Sequence, residues 1–131
     1  MTTVASVMPI LRELAQVLGE VEGVKTSRVG LEATITPEDY PIVRIVPSAI
    51  RPGSMLAGTR QTECLVYFGA PVHEFTEGMD GLYASLLGME SALIDALPRA
   101  GDWVARWVET ITDEDRGEAF KMMALRVEID G

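Results

Sequence analysis

His73 is the residue whose side chain could most readily act as a general base. It precedes Glu74 in a predicted loop, and Glu63, Asp80 or Ser85 could serve as its partners. Their spacing matches no established catalytic arrangement, because a nucleophile, a base and an orienting group must all be brought together. A loop histidine beside a glutamate is more often solvated. We therefore expect no catalytic residues.

Cys64 is the single cysteine of the chain. It lies in a run of β-branched and aromatic residues, where a buried thiol behaves as a small hydrophobic group. It has no partner for an internal disulfide. With His73 alone it cannot form a structural zinc site, which needs about four Cys or His ligands. The sequence predicts a buried thiol and no metal.

Glycines at the start of a predicted helix are the nearest approach to a phosphate-binding loop. Gly78, Gly81 and Gly88 occupy this region, but neither a Gly-Lys-Ser nor a Gly-x-Gly-x-x-Gly motif is present. Glu77 and Asp80 would place carboxylates where a phosphate would bind, and there they complement the helix dipole instead. We expect no bound cofactor.

The charge of the chain is strongly acidic, with a net charge of −9 over 131 residues. Nucleic-acid binding depends on clustered Lys and Arg, and the eleven basic residues are scattered, so we expect no nucleic-acid role. Part of the acidic surplus lies in one predicted turn, at residues 113–115 and Glu118. This turn is either solvated or a cation site, and the lack of EF-hand spacing favours the solvated turn.

Composition predicts one domain over residues 1–131, since 47% of the residues are hydrophobic and a chain of this length can bury a substantial core. No apolar run approaches the roughly 20 residues needed to cross a bilayer. The N-terminal residues lack the pattern of a signal peptide. The sequence thus indicates a protein made in the cytoplasm, without a membrane partner.

The first half of the chain predicts one helix and two strands. Apolar residues recur at helical spacing over 3–18, looser alternation marks a strand over 24–36, and a β-branched run at 42–46 is expected to end at Pro47. The segment 48–59 is predicted as a long loop, which is typical of a functional or disordered segment.

The second half predicts a strand at 60–68, a helix from about 78 to 97 and a strand at 121–129. Residues 103–111 fit a helical turn as well as a strand, and their alternation favours a strand that leads into a turn at 112–117. The predicted order is α-β-β-β-α-β-β. It indicates an α+β fold, with a largely antiparallel sheet of four to five strands and two helices packed on one face.

Apolar residues mixed with arginines mark a candidate interface in the predicted loop, because this combination is enriched where proteins meet. The candidate interface residues are Ile50, Arg51, Met55, Leu56 and Arg60. The alternative is a loop whose apolar residues are incidental.

Two further patterns could serve either the core or an interface. Small residues form a stripe along the second helix, which favours close approach of the first helix and leaves a subunit contact as the alternative. This stripe comprises Gly81, Ser85, Gly88 and Ala92. Trp103 and Trp107 are typical of a core, although a hairpin bearing two tryptophans at a sheet edge could also pair with another subunit.

Three segments carry a family resemblance when they are taken with the order of elements. They are Tyr40-Pro41-Ile42-Val43-Arg44-Ile45, Cys64-Leu65-Val66-Tyr67-Phe68 and Ala124-Leu125-Arg126-Val127-Glu128-Ile129. In this layout the chain resembles the tail terminator, or minor tail protein U-like, family of long-tailed bacteriophages, prophages and gene transfer agents.

The resemblance implies a small structural protomer that forms a homo-hexameric ring in the virion. Such a ring caps the tail tube at its head-proximal end and contacts both the tail tube protein and the head–tail connector protein. It needs no cofactor and no catalytic residue. The family has no short motif, so the resemblance assigns no site residues.

Three alternatives remain open from the sequence. Neck and head-completion proteins of the same particles have a similar size and layout. A small ligand-binding or enzymatic α+β domain could use His73 with a carboxylate. A dimeric adaptor would differ from a ring mainly in its stoichiometry.

Overall fold

The computed structural model describes residues 5–53, 58–72, 78–115 and 120–131. Its main elements follow the predicted order α-β-β-β-α-β-β. They are α1 (Met8–Gly19), β1 (Thr26–Val29), β2 (Ile42–Pro52), β3 (Arg60–Pro71), α2 (Met79–Ala96), β4 (Val104–Ile111) and β5 (Phe120–Asp130). A short 3-10 helix, Pro37–Asp39, lies between β1 and β2.

The five strands form one sheet in the order β1-β2-β3-β5-β4. β1 runs parallel to β2, and every other neighbouring pair is antiparallel. β3 pairs with β5 from Gln61 opposite Asp130 to Pro71 opposite Phe120, so these two strands form the centre of the sheet. The prediction of an α+β fold with a largely antiparallel sheet is confirmed.

Both helices pack on the same face of the sheet. Their buried leucines meet alternate residues of the strands, as the two-residue period of a strand requires. The buried strand residues on this face are Val43, Ile45, Cys64, Val66, Phe68, Ala70, Ala105, Met123, Leu125, Val127 and Ile129. α1 packs mainly against β1 and β2, and α2 mainly against β3. The opposite face of the sheet, called the open face below, has no α-helix among the described residues. A smaller cluster of Tyr40, Ile42 and Met122 is buried on it, next to the 3-10 helix.

α1 begins at Met8, five residues later than predicted. Pro9 lies in its first turn, where the missing N–H costs no helical hydrogen bond. The Met8 N–H donates to the Ser6 hydroxyl oxygen at 3.1 Å. Leu11, Leu14 and Leu18 are buried against the sheet.

β1 covers only Thr26–Val29, which is much shorter than the strand predicted over 24–36. Gly30 follows with φ of +94°, a left-handed conformation that favours glycine and turns the chain away from the sheet. The Gly30 N–H donates to the Ile45 carbonyl at 2.8 Å. The loose alternation after Gly30 thus belongs to a loop and not to a strand.

β2 continues to Pro52, so the prediction that it ends at Pro47 is wrong. Its pairing with β3 passes an irregularity between Pro47 and Ala49 and then runs to Pro52 opposite Arg60. Proline is tolerated in an edge strand or at a bulge, and β1 no longer flanks β2 beyond Ile45. Residues 48–52 of the predicted loop therefore belong to β2, and residues 54–57 of it lie outside the described part of the chain.

Candidate assembly surfaces

Large apolar side chains are exposed at three places on the described part of the chain. They lie in the β2–β3 hairpin, on α2 and on β4. They are Ile50, Met79, Tyr83, Leu87, Trp107 and Val108. Contiguous apolar patches on a protein surface mark interaction sites more often than scattered single residues do. Whether these six residues lie next to one another therefore decides whether they indicate an interaction site.

One flank of α2 faces β4 and forms an apolar surface with it. Tyr83, Leu87 and Ile94 follow one another at four- and seven-residue steps, which places them along one side of the helix. Trp107 projects from β4 toward the same side. We call this surface, defined by Tyr83, Leu87, Ile94 and Trp107, the α2–β4 trough.

A hollow forms the C-terminal end of the trough. It has a volume of about 330 Å³ and lies between the end of α2 and β4. Its lining residues are Ile94, Leu97, Arg99, Ala105, Arg106 and Trp107. The hollow shows that α2 and β4 do not close on one another at this end.

The other end of the trough is marked by Tyr83 and Lys121. The Lys121 Nζ lies 5.6 Å from the centre of the Tyr83 ring, a distance suited to a cation–π contact. Burial lowers the Lys121 pKa, but its hydrogen bond and charge contact with Asp115 outweigh burial, so the pKa is raised overall. Lys121 is therefore charged and already paired, at 3.1 Å from the Asp115 carboxylate.

The two ends of the trough are joined by elements that run side by side. From Tyr83 to Ile94 the helix advances about 16 Å. From Lys121 to Val127, which pairs with Trp107, β5 advances about 20 Å. The trough is thus an extended surface of about this length, and β4 flanks the part of it between Trp107 and Ile111, opposite Val127 and Ala124 of β5.

The two tryptophans have different surroundings. Trp103 is buried, and its Nε1 donates to a carboxylate oxygen of Glu13 at 3.1 Å. Trp107 is 45% exposed, and its Nε1 donates to the Thr110 hydroxyl at 3.0 Å. The expectation of a core position is confirmed for Trp103 and wrong for Trp107.

The β2–β3 hairpin carries three of the five residues predicted as an interface. Ile50 and Arg51 are exposed, and Arg60 is half-buried. Within the described part of the chain, Arg51 forms one long ion pair, with Glu63 at 3.6 Å between Nη2 and Oε2. Met55 and Leu56 lie outside the described residues. We call the group Ile50, Arg51 and Arg60 the arginine hairpin.

The trough and the arginine hairpin belong to opposite edges of the sheet. β4 is the last strand on one side. On the other side β1 ends its pairing with β2 at Ile45, which leaves residues 46–52 of β2 as an edge among the described strands. The chain therefore presents two different surfaces at opposite edges of the sheet, one mainly apolar and one that combines an exposed isoleucine with two arginines.

The open face of the sheet carries charges that neutralise one another. Arg126 contacts Glu109 at 2.7 Å through Nη1 and Glu63 at 3.3 Å through Nε, the latter without hydrogen-bond geometry. Arg106 contacts Glu128 at 2.9 Å. These ion pairs link β3, β5 and β4 across their open face.

The described residues considered for catalysis are not brought together. His73 and Glu74 lie outside the described residues. Glu63 lies on the open face in its ion pairs, whereas Asp80 and Ser85 are exposed on α2, on the helical side of the sheet. Hence the described partners proposed for His73 are divided between the two faces.

Cys64 is fully buried in the core, as predicted. Burial raises the pKa of its thiol to about 12, with a further contribution from the charge of Glu63. A thiol with so high a pKa is protonated at neutral pH and is a poor nucleophile.

The described residues contain no group of three or more His, Cys, Asp or Glu side chains that could hold a metal ion. None of the described helices is long and apolar enough to span a membrane.

The stripe of small residues on α2 does not lie under another helix at its centre. Ser85 and Gly88 are exposed, and a Cβ atom built on Gly88 would have no described neighbour within 4 Å. The interpretation that the stripe allows close approach of the first helix is therefore wrong for these two residues.

The exposed flank formed by Tyr83 and Leu87 was not predicted from the sequence. It is a second apolar series, one residue further along the helix than the buried series that includes Leu82 and Leu86. The available signal was the presence of large apolar residues on more than one side of α2, which is unusual for a helix with one buried face.

The sequence matches no protein-family model, and no curated protein is significantly similar to it. A function for this chain is therefore inferred from its exposed surfaces, from its fold and from the resemblance of its sequence pattern to that of tail terminators.

Proposed function

We propose that this chain is a structural assembly protein of a long-tailed phage or phage-like particle. In this proposal six copies form a ring that caps the tail tube at its head-proximal end and joins it to the head connector. The order of elements, which underlies the resemblance to tail terminators, supports the proposal. The role is non-catalytic and requires no cofactor.

The observation that carries the proposal is the pair of different exposed surfaces, one mainly apolar and one rich in arginine, at opposite edges of one sheet. A closed ring is built from head-to-tail contacts, in which one surface of a subunit meets a different surface of the next. An isolated two-fold dimer would need only one self-complementary surface. The α2–β4 trough and the arginine hairpin provide two surfaces with suitable positions.

The residue types on these surfaces also support assembly. Tryptophan, tyrosine and arginine are the residues that most often dominate the binding energy of protein interfaces. Trp107 and Tyr83 remain 45% and 37% exposed in the protomer, so each has substantial apolar area left to bury. A ring contact that covers them would remove this area from water, which is favourable.

Immunogold electron microscopy of intact particles tests the proposed place of the protein. We expect label where the tail joins the head, and none along the tail or over the capsid. Gentle separation of heads and tails provides the sharper test. Label that stays with the separated tails agrees with a cap on the tail tube, whereas label that stays with the heads would identify a neck or head-completion protein.

A further inference from the structure

We propose that the α2–β4 trough of one copy receives the arginine hairpin of the next copy in the ring. This inference rests on the proposed function and names the contact between its subunits. The positions, lengths, apolar side chains and charges of the trough and the hairpin support this contact.

The position of the two elements suits a head-to-tail contact. The free part of β2, residues 46–52, lies at one edge of the sheet, and the trough lies beside β4 at the other. When the hairpin of one subunit enters the trough of the next, the second subunit still presents its own free hairpin. The same contact can then repeat until the ring closes.

The lengths of the two elements agree. Seven residues of extended chain, 46–52, span about 23 Å. The trough from Tyr83 to Ile94 extends about 16 Å along the helix. The free part of β2 is therefore long enough to lie along the whole trough.

Both surfaces expose apolar side chains that a contact between them could cover. Ile50 is the large exposed apolar residue of the hairpin, and it is 45% exposed. In the trough, Leu87 is 43% exposed and has the Tyr83 ring one helical turn before it. A single branched side chain that packs between a leucine and an aromatic ring is typical of the centre of an interface.

The helix side of the trough and the hairpin carry opposite charges. The basic residues at the two ends of the trough, Arg99, Arg106 and Lys121, are each in ion pairs with carboxylates. α2 contains no Lys or Arg, and its charged residues are Asp80, Glu90 and Asp95. Beside the Tyr83 end of the trough, the Asp113 side chain is 90% exposed. The hairpin carries Arg51 and Arg60, and the only ion pair of Arg51 among the described residues is long. Opposite charges on facing surfaces orient the partners and disfavour other pairings.

Cysteine crosslinking between two variants tests this contact. The variants Ile50→Cys and Leu87→Cys each add an exposed thiol, while the native Cys64 is fully buried and does not react in the folded protein. The two variants carry different affinity tags and are mixed, allowed to assemble and treated with a short bis-maleimide. We expect a crosslinked pair that carries both tags. We also expect the double variant to give a ladder of crosslinked species that ends at the closed ring.

A third variant provides the matched control. Glu38 is exposed in the 3-10 helix before β2, at the end of β2 remote from Ile50. A mixture of Glu38→Cys and Leu87→Cys should give at least tenfold less crosslinked pair than the Ile50→Cys mixture. Circular dichroism verifies that each variant is folded before mixing.

The outcomes separate the inference from the proposed function. A ring that forms without the Ile50–Leu87 crosslink overturns the inference and leaves the proposed function standing. Efficient crosslinking of Leu87→Cys with itself would show a two-fold contact between troughs, which also overturns the inference. A wild-type chain that shows no assembly contradicts the proposed function itself.

Discussion

Arg44 and Glu32 form an ion pair with two contacts, 2.7 Å between Nε and Oε1 and 3.2 Å between Nη2 and Oε2. Arg44 is fully buried although it lies on the open face, and its remaining donors bind the Thr26 carbonyl and hydroxyl and the Val43 carbonyl. The guanidinium thus joins β1, β2 and the loop that follows β1. The loop is held beside residues 42–45 of β2. Residues 46–52 of β2 are not flanked by it and carry Ile50 and Arg51 of the arginine hairpin.

Loss of the Glu32 carboxylate should destabilise the protomer. In Glu32→Ala the buried Arg44 charge keeps its neutral acceptors but loses its counter-charge. Because the Glu32 side chain is 34% exposed, we expect a loss of about 2 kcal/mol, less than the roughly 3 kcal/mol for a fully buried pair. Urea unfolding at pH 7 measures the change. Glu22→Ala, at an exposed position, is the control and should change the free energy of unfolding by less than about 0.5 kcal/mol. Equal effects of the two variants would contradict a stabilising role for the pair.

The same pair predicts how stability depends on pH. Partial burial raises the pKa of Glu32, but the hydrogen bonds and charge of Arg44 outweigh it and hold the pKa below the ordinary value of 4.5. A lowered pKa means that the stabilisation is present above pH 4.5 and is lost as the pH falls through the lowered value. The difference in unfolding free energy between the wild type and Glu32→Gln should therefore shrink below pH 4.5. A difference that grows toward low pH would contradict this account.

Substitution of Trp103 should lower the stability of the protomer, whereas substitution of Trp107 should mainly weaken assembly. Trp103→Ala removes a buried ring and its hydrogen bond to Glu13, and large aromatic truncations in a core cost about 3–5 kcal/mol. Trp107→Ala should lower stability much less, since its ring is half exposed, but it should weaken assembly. Thermal unfolding and sedimentation velocity of both variants measure the two effects. A Trp107→Ala protein that assembles like the wild type would remove this residue from the interface.

Reversal of one charge on the arginine hairpin should weaken assembly without unfolding the protomer. Arg51→Glu faces the acidic flank of α2 in the proposed contact, so we expect at least a tenfold higher concentration for half-assembly. Arg12→Glu, on the exposed side of α1, makes the same change of charge and should leave assembly unaltered. If the circular dichroism signal of Arg51→Glu is lost, the residue supports the fold and the argument for a surface contact fails.

Most elements of the fold could be predicted because their apolar periods are regular. The long buried series of α2 and the clean alternation of β5 each fit one structure only. β2 was misjudged because its extension past Pro47 depends on where β1 stops. β1 ends just before Gly30, and the loop that follows is held by the contact between Arg44 and Glu32, which are twelve residues apart. A window of local sequence contains no information on such a pair.

The candidate surfaces were only partly predictable for a similar reason. Ile50 and Arg51 could be predicted as interface residues, because an arginine beside an apolar residue occurs there in a segment predicted to be a loop. Trp107 was assigned to the core because tryptophan is usually buried. Its exposure follows from the position of α2, which packs mainly on β3 and leaves the side of β4 uncovered. That placement is a tertiary property, and it decides which apolar residues remain for a partner.

The mass of the wild-type protein in solution tests the central claim most directly. Light scattering across a concentration series compares the measured mass with the 14.3 kDa of one chain. The account predicts six times this mass, or a monomer that converts to the sixfold species as the concentration rises. A mass that stays at one or two chains over the whole series would contradict a self-assembling ring.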